Sequence, residues 1–318
     1  MPLRLSSPVR AGAFRRACVL VALSMVVATV AAAGPLRDRL LQRRAETESR
    51  STAPELPSGV RVLRDVAYGS DAKQKLDVYR SDRPLERAPI VLMVHGGAWR
   101  MGDKAASPVV ENKVSRWAPR GIVLVSIDYR LLPTPVEDQL ADVLQALVFV
   151  QRHAAEWGGD AGKIVLMGHS AGAHLIDLLD ASPAKARQAG ALPWLGAVSL
   201  DSAVLDVPAL MRERHLALYD EALGNDPARW RALSPLDQLV AGAPPLLAVC
   251  SSKRRDRPCD PTQRFAARAA ALGNRVEVLP QALSHEQINE RLGTPGAYTT
   301  AVETFMASLD PTLARAFR

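Results

Sequence analysis

The stretch Lys163-Ile-Val-Leu-Met-Gly-His-Ser-Ala-Gly172 places a serine between a buried strand and a helix. Residues 164–167 are continuously apolar, as expected for a strand covered on both faces, and residues 171–179 predict a helix. A serine on such a sharp turn holds its hydroxyl clear of the backbone, and the turn needs very small neighbours at Gly168 and Gly172. The helix N-terminus behind it favours developing negative charge. We therefore predict that Ser170 is a nucleophile.

Strands and helices alternate on both sides of this stretch, from about residue 60 to the end of the chain. Period-2 alternation predicts a short strand at 76–79, and apolar runs predict buried strands at 89–94, 122–127 and 163–168. Further strands are predicted at 195–200, 245–249 and 276–279. Helices are predicted from Pro135, from Ala171, from Pro261 with Asp260 as N-cap and Gly273 as the end, and over Tyr298 to Leu309. This alternation predicts an α/β fold, a mostly parallel sheet with helices on both faces. The weakly periodic segment 207–240 is interpreted as a small cap.

The first 33 residues have the parts of a secretory signal peptide. They contain four arginines and no acidic residue, and an uncharged run from Ala17 to Gly34 includes Ala31-Ala32-Ala33. Basic residues, an apolar stretch and a small-residue cleavage site in this order are typical of export. We predict cleavage after Ala33 and a periplasmic or secreted location. The alternative is an uncleaved membrane anchor, because an apolar run of about 18 residues is at the lower limit of a span.

Composition and charge exclude several other classes. The 318 residues are 48% hydrophobic and 23% charged, close to the globular average. Loss of residues 1–33 lowers the net charge from +7 to +3 and removes Cys18, which leaves Cys250 and Cys259. No basic stripe with interleaved aromatic residues accompanies this charge, so nucleic-acid binding is not indicated. No zinc-like cysteine pair is present. Residues 34–58 are polar and mixed in charge, as in a solvated leader that precedes a catalytic domain over 59–318.

A second motif, His95-Gly96-Gly97-Ala98-Trp99, follows the predicted strand 89–94. Consecutive glycines let the backbone approach a ligand closely. Acyl transfer passes through an oxyanion, and each fixed N–H donor at that oxygen contributes about 100- to 1,000-fold in rate. We predict that the N–H groups of Gly96, Gly97 and Ala171 form this oxyanion hole, and that His95 anchors the loop.

These motifs, together with Asp128-Tyr-Arg-Leu131, resemble the α/β-hydrolase serine esterases of the hormone-sensitive-lipase-like and feruloyl-esterase-like groups. Kynurenine formamidases carry similar motifs. The resemblance covers about residues 60–310 and implies an eight-stranded, mostly parallel sheet and a triad in the order Ser, Asp, His. Ala98 departs from the third glycine that many relatives have.

The resemblance also implies positions for the base and the acid. The chain has six histidines: His95, His153, His169, His174, His215 and His285. Only His285 is predicted to lie on a loop between the last predicted strand and the C-terminal helices, where this fold places its base. Asp256, in the loop after strand 245–249, is predicted to be the acid that orients His285. The alternatives are Asp260, which N-capping already explains, and Asp201, at another strand end.

Cys250 and Cys259 bracket the loop that carries Asp256. Because export leads to an oxidising compartment, we predict that they form a disulfide. The alternative is two free thiols, with Cys250 a small buried strand residue. The basic residues of this loop are interpreted as a solvated rim, with attraction of an anionic substrate as the alternative; they are Lys253, Arg254, Arg255 and Arg257.

The sequence thus predicts an exported serine carboxylesterase that hydrolyses small or medium acyl esters through an acyl-enzyme, without metal or cofactor. Alternatives within the same machinery are an arylformamidase like the kynurenine formamidases and a polysaccharide-linked acetyl or feruloyl esterase. A binding protein that has lost activity is the non-enzymatic alternative. The expected partner is a small-molecule ester; the membrane is involved only if the signal segment stays uncleaved.

Overall fold

The computed structural model describes residues 54–202 and 204–318. The predicted signal peptide and the predicted leader up to residue 53 lie outside these described residues. The strands are β1 Val60–Ala67, β2 Lys75–Ser81, β3 Ala88–Val94, β4 Val123–Ile127, β5 Gly159–His169, β6 Gly196–Leu200, β7 Leu246–Ser251 and β8 Val276–Gln281. They form one eight-stranded sheet in the order β1-β2-β4-β3-β5-β6-β7-β8. Strands β3 to β8 are parallel, and β1 and β2 run antiparallel at one edge.

Helices cover both faces of the sheet, as predicted. The helices are α1 Ser107–Trp117, α2 Val136–His153, α3 Ala171–Ala181, α4 Pro183–Gln188, α5 Val207–Arg212, α6 Ala217–Leu223, α7 Pro227–Ala232, α8 Pro235–Gln238, α9 Cys259–Ala271, α10 His285–Glu290, α11 Ala297–Leu309 and α12 Pro311–Ala316. Two short 3-10 helices lie at Ala118–Arg120 and Ala154–Trp157. Among the described residues, no helix has both the length and the apolar character needed to cross a membrane.

The central strands are buried on both faces, which explains their continuous apolar runs. Successive side chains of a strand point to opposite faces. Accordingly, Ile90, Leu92 and Val94 of β3 belong to one hydrophobic cluster and Val91 and Met93 to another, all with no exposed surface. The predicted α/β fold with a mostly parallel sheet is therefore confirmed.

Two local features differ from the sequence predictions. Helix α9 begins at Cys259 with Pro258 as its N-cap, so the prediction that Asp260 caps it is wrong. Asp260 lies inside the first turn, where it pairs with Arg257 at 2.9 Å. Strand β1 was not predicted, because as an edge strand it lacks the apolar run of the buried strands.

The segment 207–240, predicted to be a cap, contains the four short helices α5 to α8. It contacts the loop that follows β3 at two points. The ring of Tyr219 lies 6.1 Å from the ring of Trp99, and Glu221 binds Arg100 at 3.0 Å. Helix α6 is therefore docked on the loop that carries the predicted oxyanion donors.

Candidate active site

Ser170 lies on the turn between β5 and α3 with a strained backbone. Its φ is 55° and its ψ is −116°, in a region that non-glycine residues rarely adopt. The turn leaves no room for side chains on either side. A Cβ on Gly168 would lie 2.4 Å from the carbonyl oxygen of Gly172, and one on Gly172 would lie 2.3 Å from the carbonyl oxygen of Val94. The two glycines are thus required by packing at this turn.

The loop after β3 passes directly beside this serine. A Cβ on Gly96 would lie 3.0 Å from the Cβ of Ser170. Gly97 has a φ of +117°, and a Cβ there would lie 2.1 Å from the carbonyl oxygen of Met101. Ala171 is the first residue of α3, where helix N–H groups lack partners within the helix. The structure therefore brings Gly96 and Ala171 next to Ser170, with Gly97 adjoining.

His95 and its neighbours hold the shape of that loop. The buried imidazole of His95 stacks on Tyr129 with ring centroids 4.6 Å apart, and its Nε2 lies 3.3 Å from Oδ1 of Asp128. Ala98 and Trp99 both have positive φ, 52° and 59°. Ala98 thus adopts the left-handed conformation at the position where many relatives have a third glycine.

His285 faces Ser170, although 115 residues separate them in the chain. Its Nε2 lies 2.9 Å from Oγ of Ser170. His285 is the first residue of α10 and not part of an irregular loop as predicted. Ser284 caps this helix in a capping box with Gln287. The Ser-x-x-Gln spacing was the sequence signal for this helix.

The prediction that Asp256 orients His285 disagrees with the structure, which places Asp201 there. Nδ1 of His285 lies 2.6 Å from Oδ2 of Asp201. Asp201 follows β6 with a φ of 58°, its side chain is completely buried, and its Oδ1 accepts a hydrogen bond from the backbone N–H of Ser251 at 2.7 Å. Asp201 and the loop that carries Asp256 follow the carboxyl ends of β6 and β7, which are neighbours in the sheet. Of the two carboxylates, that of Asp201 contacts the imidazole of His285.

Asp256 instead binds Arg254, and 48% of its side chain is exposed. Its carboxylate accepts hydrogen bonds from Nε and Nη2 of Arg254 at 3.0 and 2.5 Å. The predicted disulfide between Cys250 and Cys259 is present in the structure and closes this loop. Asp260, the other alternative acid, contacts Arg257.

The electrostatics of the site favour an ionised Asp201 and a neutral His169. Burial alone would raise the pKa of Asp201, but the hydrogen bond from His285 and the charges of His285 and Arg254 hold it well below its usual range. The ring of His169 lies 4.6 Å from that of His285. Burial, followed by the charge on His285, holds the pKa of His169 well below its usual range.

Sequence reasoning missed Lys113, a buried lysine beneath the helix that begins at His285. Its Nζ donates hydrogen bonds to the carbonyl oxygen and Oδ1 of Asn289 at 2.7 and 2.9 Å. Burial lowers the pKa of Lys113 to about 7. A lone lysine in an amphipathic helix gives no sequence signal for such a contact. Across residues 54–202 and 204–318, no cluster of three or more His, Cys, Asp or Glu side chains could hold a metal ion.

Comparisons with known proteins find esterases among the relatives of this chain. The family model described as BD-FAE matches residues 76–207. Esterase LipC of Mycobacterium tuberculosis is 30% identical over 224 residues, which cover 66% of this chain and 55% of LipC. A probable isoprenylcysteine alpha-carbonyl methylesterase of Oryza sativa is 39% identical over 115 residues, 36% of this chain and 27% of that protein. The chain thus spans about a quarter to about half of the length of these curated relatives.

Solved structures resemble the fold over most of the chain. Esterase 2 of Thermogutta terrifontis, phosphonylated by sarin, is 25% identical with a TM-score of 0.64. The match covers 80% of this chain and 96% of the Thermogutta chain. Esterase B of Lactobacillus rhamnosis, at 19% identity and a TM-score of 0.66, supports the fold alone. The chain therefore has the α/β-hydrolase fold. Its resemblance to the carboxylic ester hydrolases of this fold is confirmed.

Proposed function

We propose that this protein is a serine carboxylesterase whose triad is Ser170, His285 and Asp201. One observation carries the proposal: Oγ of Ser170, the imidazole of His285 and Oδ2 of Asp201 lie in one row, with contacts of 2.9 and 2.6 Å. A nucleophile, a base and an orienting acid within hydrogen-bond reach are the requirement for acyl transfer through a covalent intermediate. The three residues follow the carboxyl ends of the parallel strands β5, β6 and β8.

The geometry supports the following reaction. Oγ of Ser170 attacks the ester carbonyl carbon while Nε2 of His285 takes its proton. Asp201 accepts the hydrogen bond of Nδ1, which holds the productive tautomer and stabilises the imidazolium. The oxygen of the tetrahedral intermediate lies against the N–H groups of Gly96, Gly97 and Ala171. His285 then returns its proton to the leaving alcohol, and water, activated by the same base, hydrolyses the acyl-enzyme.

The substrate that we propose is an ester with a small or medium acyl group. The segment 207–240 offers short helices of which α7 has no buried residue, whereas a lipase for long acyl chains would need a sizeable apolar lid. An acyl-chain panel of p-nitrophenyl esters from C2 to C16 tests this directly, and we expect the highest kcat/KM at C8 or below. Feruloyl esters, acetyl-xylan and N-formylkynurenine in the same panel would identify the alternative substrate classes.

The nucleophile is tested by covalent labelling. A fluorophosphonate probe is expected to modify Ser170 in the wild-type protein and to leave Ser170→Ala unlabelled, with identification of the peptide by mass spectrometry. Phosphonylation by sarin of the related Thermogutta esterase supports this choice of probe. A p-nitrophenyl acetate burst that persists in Ser170→Ala would refute the proposed mechanism.

We further propose that residues 1–33 direct export. The four arginines, the apolar run and Ala31-Ala32-Ala33 support this, and the disulfide between Cys250 and Cys259 suits an oxidising compartment. Expression in a bacterial host followed by fractionation and intact-mass analysis should give a periplasmic or secreted chain that begins at Gly34. A full-length chain in the cytoplasm would contradict export.

A further inference from the structure

Arg254 reaches the row of Ser170, His285 and Asp201, although its sequence setting suggested a solvated rim. Its Nη1 lies 2.8 Å from Oδ2 of Asp201 and 2.9 Å from Nδ1 of His285. The other edge of the guanidinium, Nε and Nη2, binds Asp256. One side chain thus links the carboxylate that contacts His285 with the carboxylate in the loop after β7.

This arrangement is fixed by the surrounding structure. Only 19% of the Arg254 side chain is exposed, compared with 76% for Arg257 in the same loop. The disulfide between Cys250 and Cys259 closes the loop between β7 and α9. The two ends of this short loop are thus held together, and the guanidinium of Arg254 is bound on one edge by Asp201 and on the other by Asp256.

Oδ2 of Asp201 accepts from two donors at once, Nδ1 of His285 at 2.6 Å and Nη1 of Arg254 at 2.8 Å. The permanent positive charge of Arg254 therefore sits in contact with the imidazole. A neighbouring cation disfavours a further positive charge, and it also compensates part of the carboxylate charge that would otherwise attract a proton. Both effects act in the same direction on His285.

We propose that Arg254 is a positioning residue for the reaction: it holds Asp201 against His285 and lowers the proton affinity of the imidazole by its fixed charge. This inference rests on the proposed function, because it gives His285 the role of base. Its consequence is that the imidazole stays a free base at lower pH than it would without Arg254. Ser170 is thereby activated over a wider acidic range.

Other titratable groups around His285 do not supply this charge. On the elements packed around it, besides Asp201, Arg254 and Asp256, they are Lys113, His169, Tyr219, Glu286 and Tyr298. His169 is neutral because its pKa is lowered, and both tyrosines are neutral because burial raises their pKa. Lys113 contacts Asn289, and Glu286 binds Ser284 Oγ at 2.8 Å. Within the described part of the chain, the cation against the imidazole is therefore Arg254.

The test follows the pH dependence of the rate at which a fluorophosphonate probe labels Ser170, between about pH 4 and 9, in the full disulfide-bonded protein. In Arg254→Gln, the labelling rate should reach half of its alkaline value at a pH about one unit higher than in the wild-type protein; this pH is called the midpoint below. Labelling should therefore be about tenfold slower below the wild-type midpoint. The alkaline plateau reports separately on the positioning of Asp201 and should also fall in this variant. Arg254→Lys, which restores a cation, should recover at least half of the shift.

Asp256→Asn is the matched variant, for which the expected shift of the midpoint has the opposite sign. It leaves the charge of Arg254 uncompensated, so the midpoint should fall; because 48% of Asp256 is exposed, the expected fall is below about half a unit. An arginine that served only to hold the loop would move neither midpoint.

An unchanged midpoint in a folded Arg254→Gln protein, checked by circular dichroism, would overturn the inference. If Arg254→Gln does not fold, Asp256→Asn decides: a midpoint that rises or stays in place overturns it. Failure of the wild-type protein to label at Ser170 would refute the proposed function itself. A labelled wild type with unmoved midpoints would refute only the role of Arg254.

Discussion

The exchange of Asp201 for asparagine probes the proposed triad most directly. In the structure Oδ1 of Asp201 accepts from the backbone N–H of Ser251 at 2.7 Å, and Oδ2 accepts from His285 and Arg254 at 2.6 and 2.8 Å. Every neighbour of this carboxylate is thus a donor. Asparagine has only one acceptor atom and must turn its NH₂ group toward one of these donors.

The backbone N–H of Ser251 is fixed in β7, so the amide oxygen of asparagine should remain there. Its NH₂ group then faces Nδ1 of His285, which must lose its proton to accept the hydrogen bond. The proton moves to Nε2, where it points at Ser170 and blocks the base. A wrong tautomer of this kind costs about 10⁴-fold in kcat. We expect Asp201→Asn to lose activity by about this factor.

Asp256→Asn provides the control for this prediction. Asp256 contacts Arg254 and is half exposed, so its loss leaves the row of Asp201, His285 and Ser170 in place. We expect kcat to fall less than tenfold, because an exposed ion pair contributes about 1 kcal/mol or less.

The assay is kcat and KM for p-nitrophenyl acetate at pH 8, with thermal unfolding of each variant as a check on folding. A 10⁴-fold loss in Asp256→Asn together with a small loss in Asp201→Asn would refute the assignment. It would show that the loop after β7 reorganises to bring Asp256 to His285 during the reaction.

Three further predictions concern stability. Burial lowers the pKa of His174 to about 4; because this residue then binds fewer protons in the folded than in the unfolded state between about pH 6.5 and 4, His174 should contribute a loss of stability of up to about 3 kcal/mol as pH drops through this window. Urea unfolding across this pH range should show a smaller loss of unfolding free energy in His174→Gln than in the wild-type protein. The same dependence of that free energy on pH in both proteins would count against the prediction. Reduction of the disulfide between Cys250 and Cys259 should lower the free energy of unfolding by about 2–3 kcal/mol, measured by denaturant titration with and without dithiothreitol; two alkylatable thiols in the unreduced protein would contradict the bond. Gly172→Ala should destabilise the fold by about 1–3 kcal/mol, since its Cβ would lie 2.3 Å from a carbonyl oxygen, whereas Gly162→Ala, with its nearest contact at 3.5 Å, should change stability by less than about 0.5 kcal/mol; equal melting temperatures for the two variants would refute the packing argument.

The sequence determined the features that depend on local chemistry. Continuous apolar runs predict strands buried on both faces, and β3 to β7 lie where these runs are, whereas the edge strand β8 contains Glu277 and has no buried residue. The turn at Ser170 needs Gly168 for a local steric reason, because a Cβ there would meet the carbonyl oxygen of Gly172; Gly172 itself is required by the backbone of Val94, which is distant in sequence. The glycine loop at Gly96 and the cysteine pair Cys250 and Cys259 were recognisable from residue type and spacing alone.

Which carboxylate contacts His285 was decided by the tertiary structure. Asp201 and Asp256 both follow strands at the same edge of the sheet, so their positions in the chain do not distinguish them. What distinguishes them is the path of the loop after β7, in which Arg254 turns inward and holds Asp256 away from His285. That path depends on burial, on a disulfide and on hydrogen bonds between residues that are distant in sequence. Side-chain direction in such a loop is a property of the packed molecule, and no local pattern encodes it.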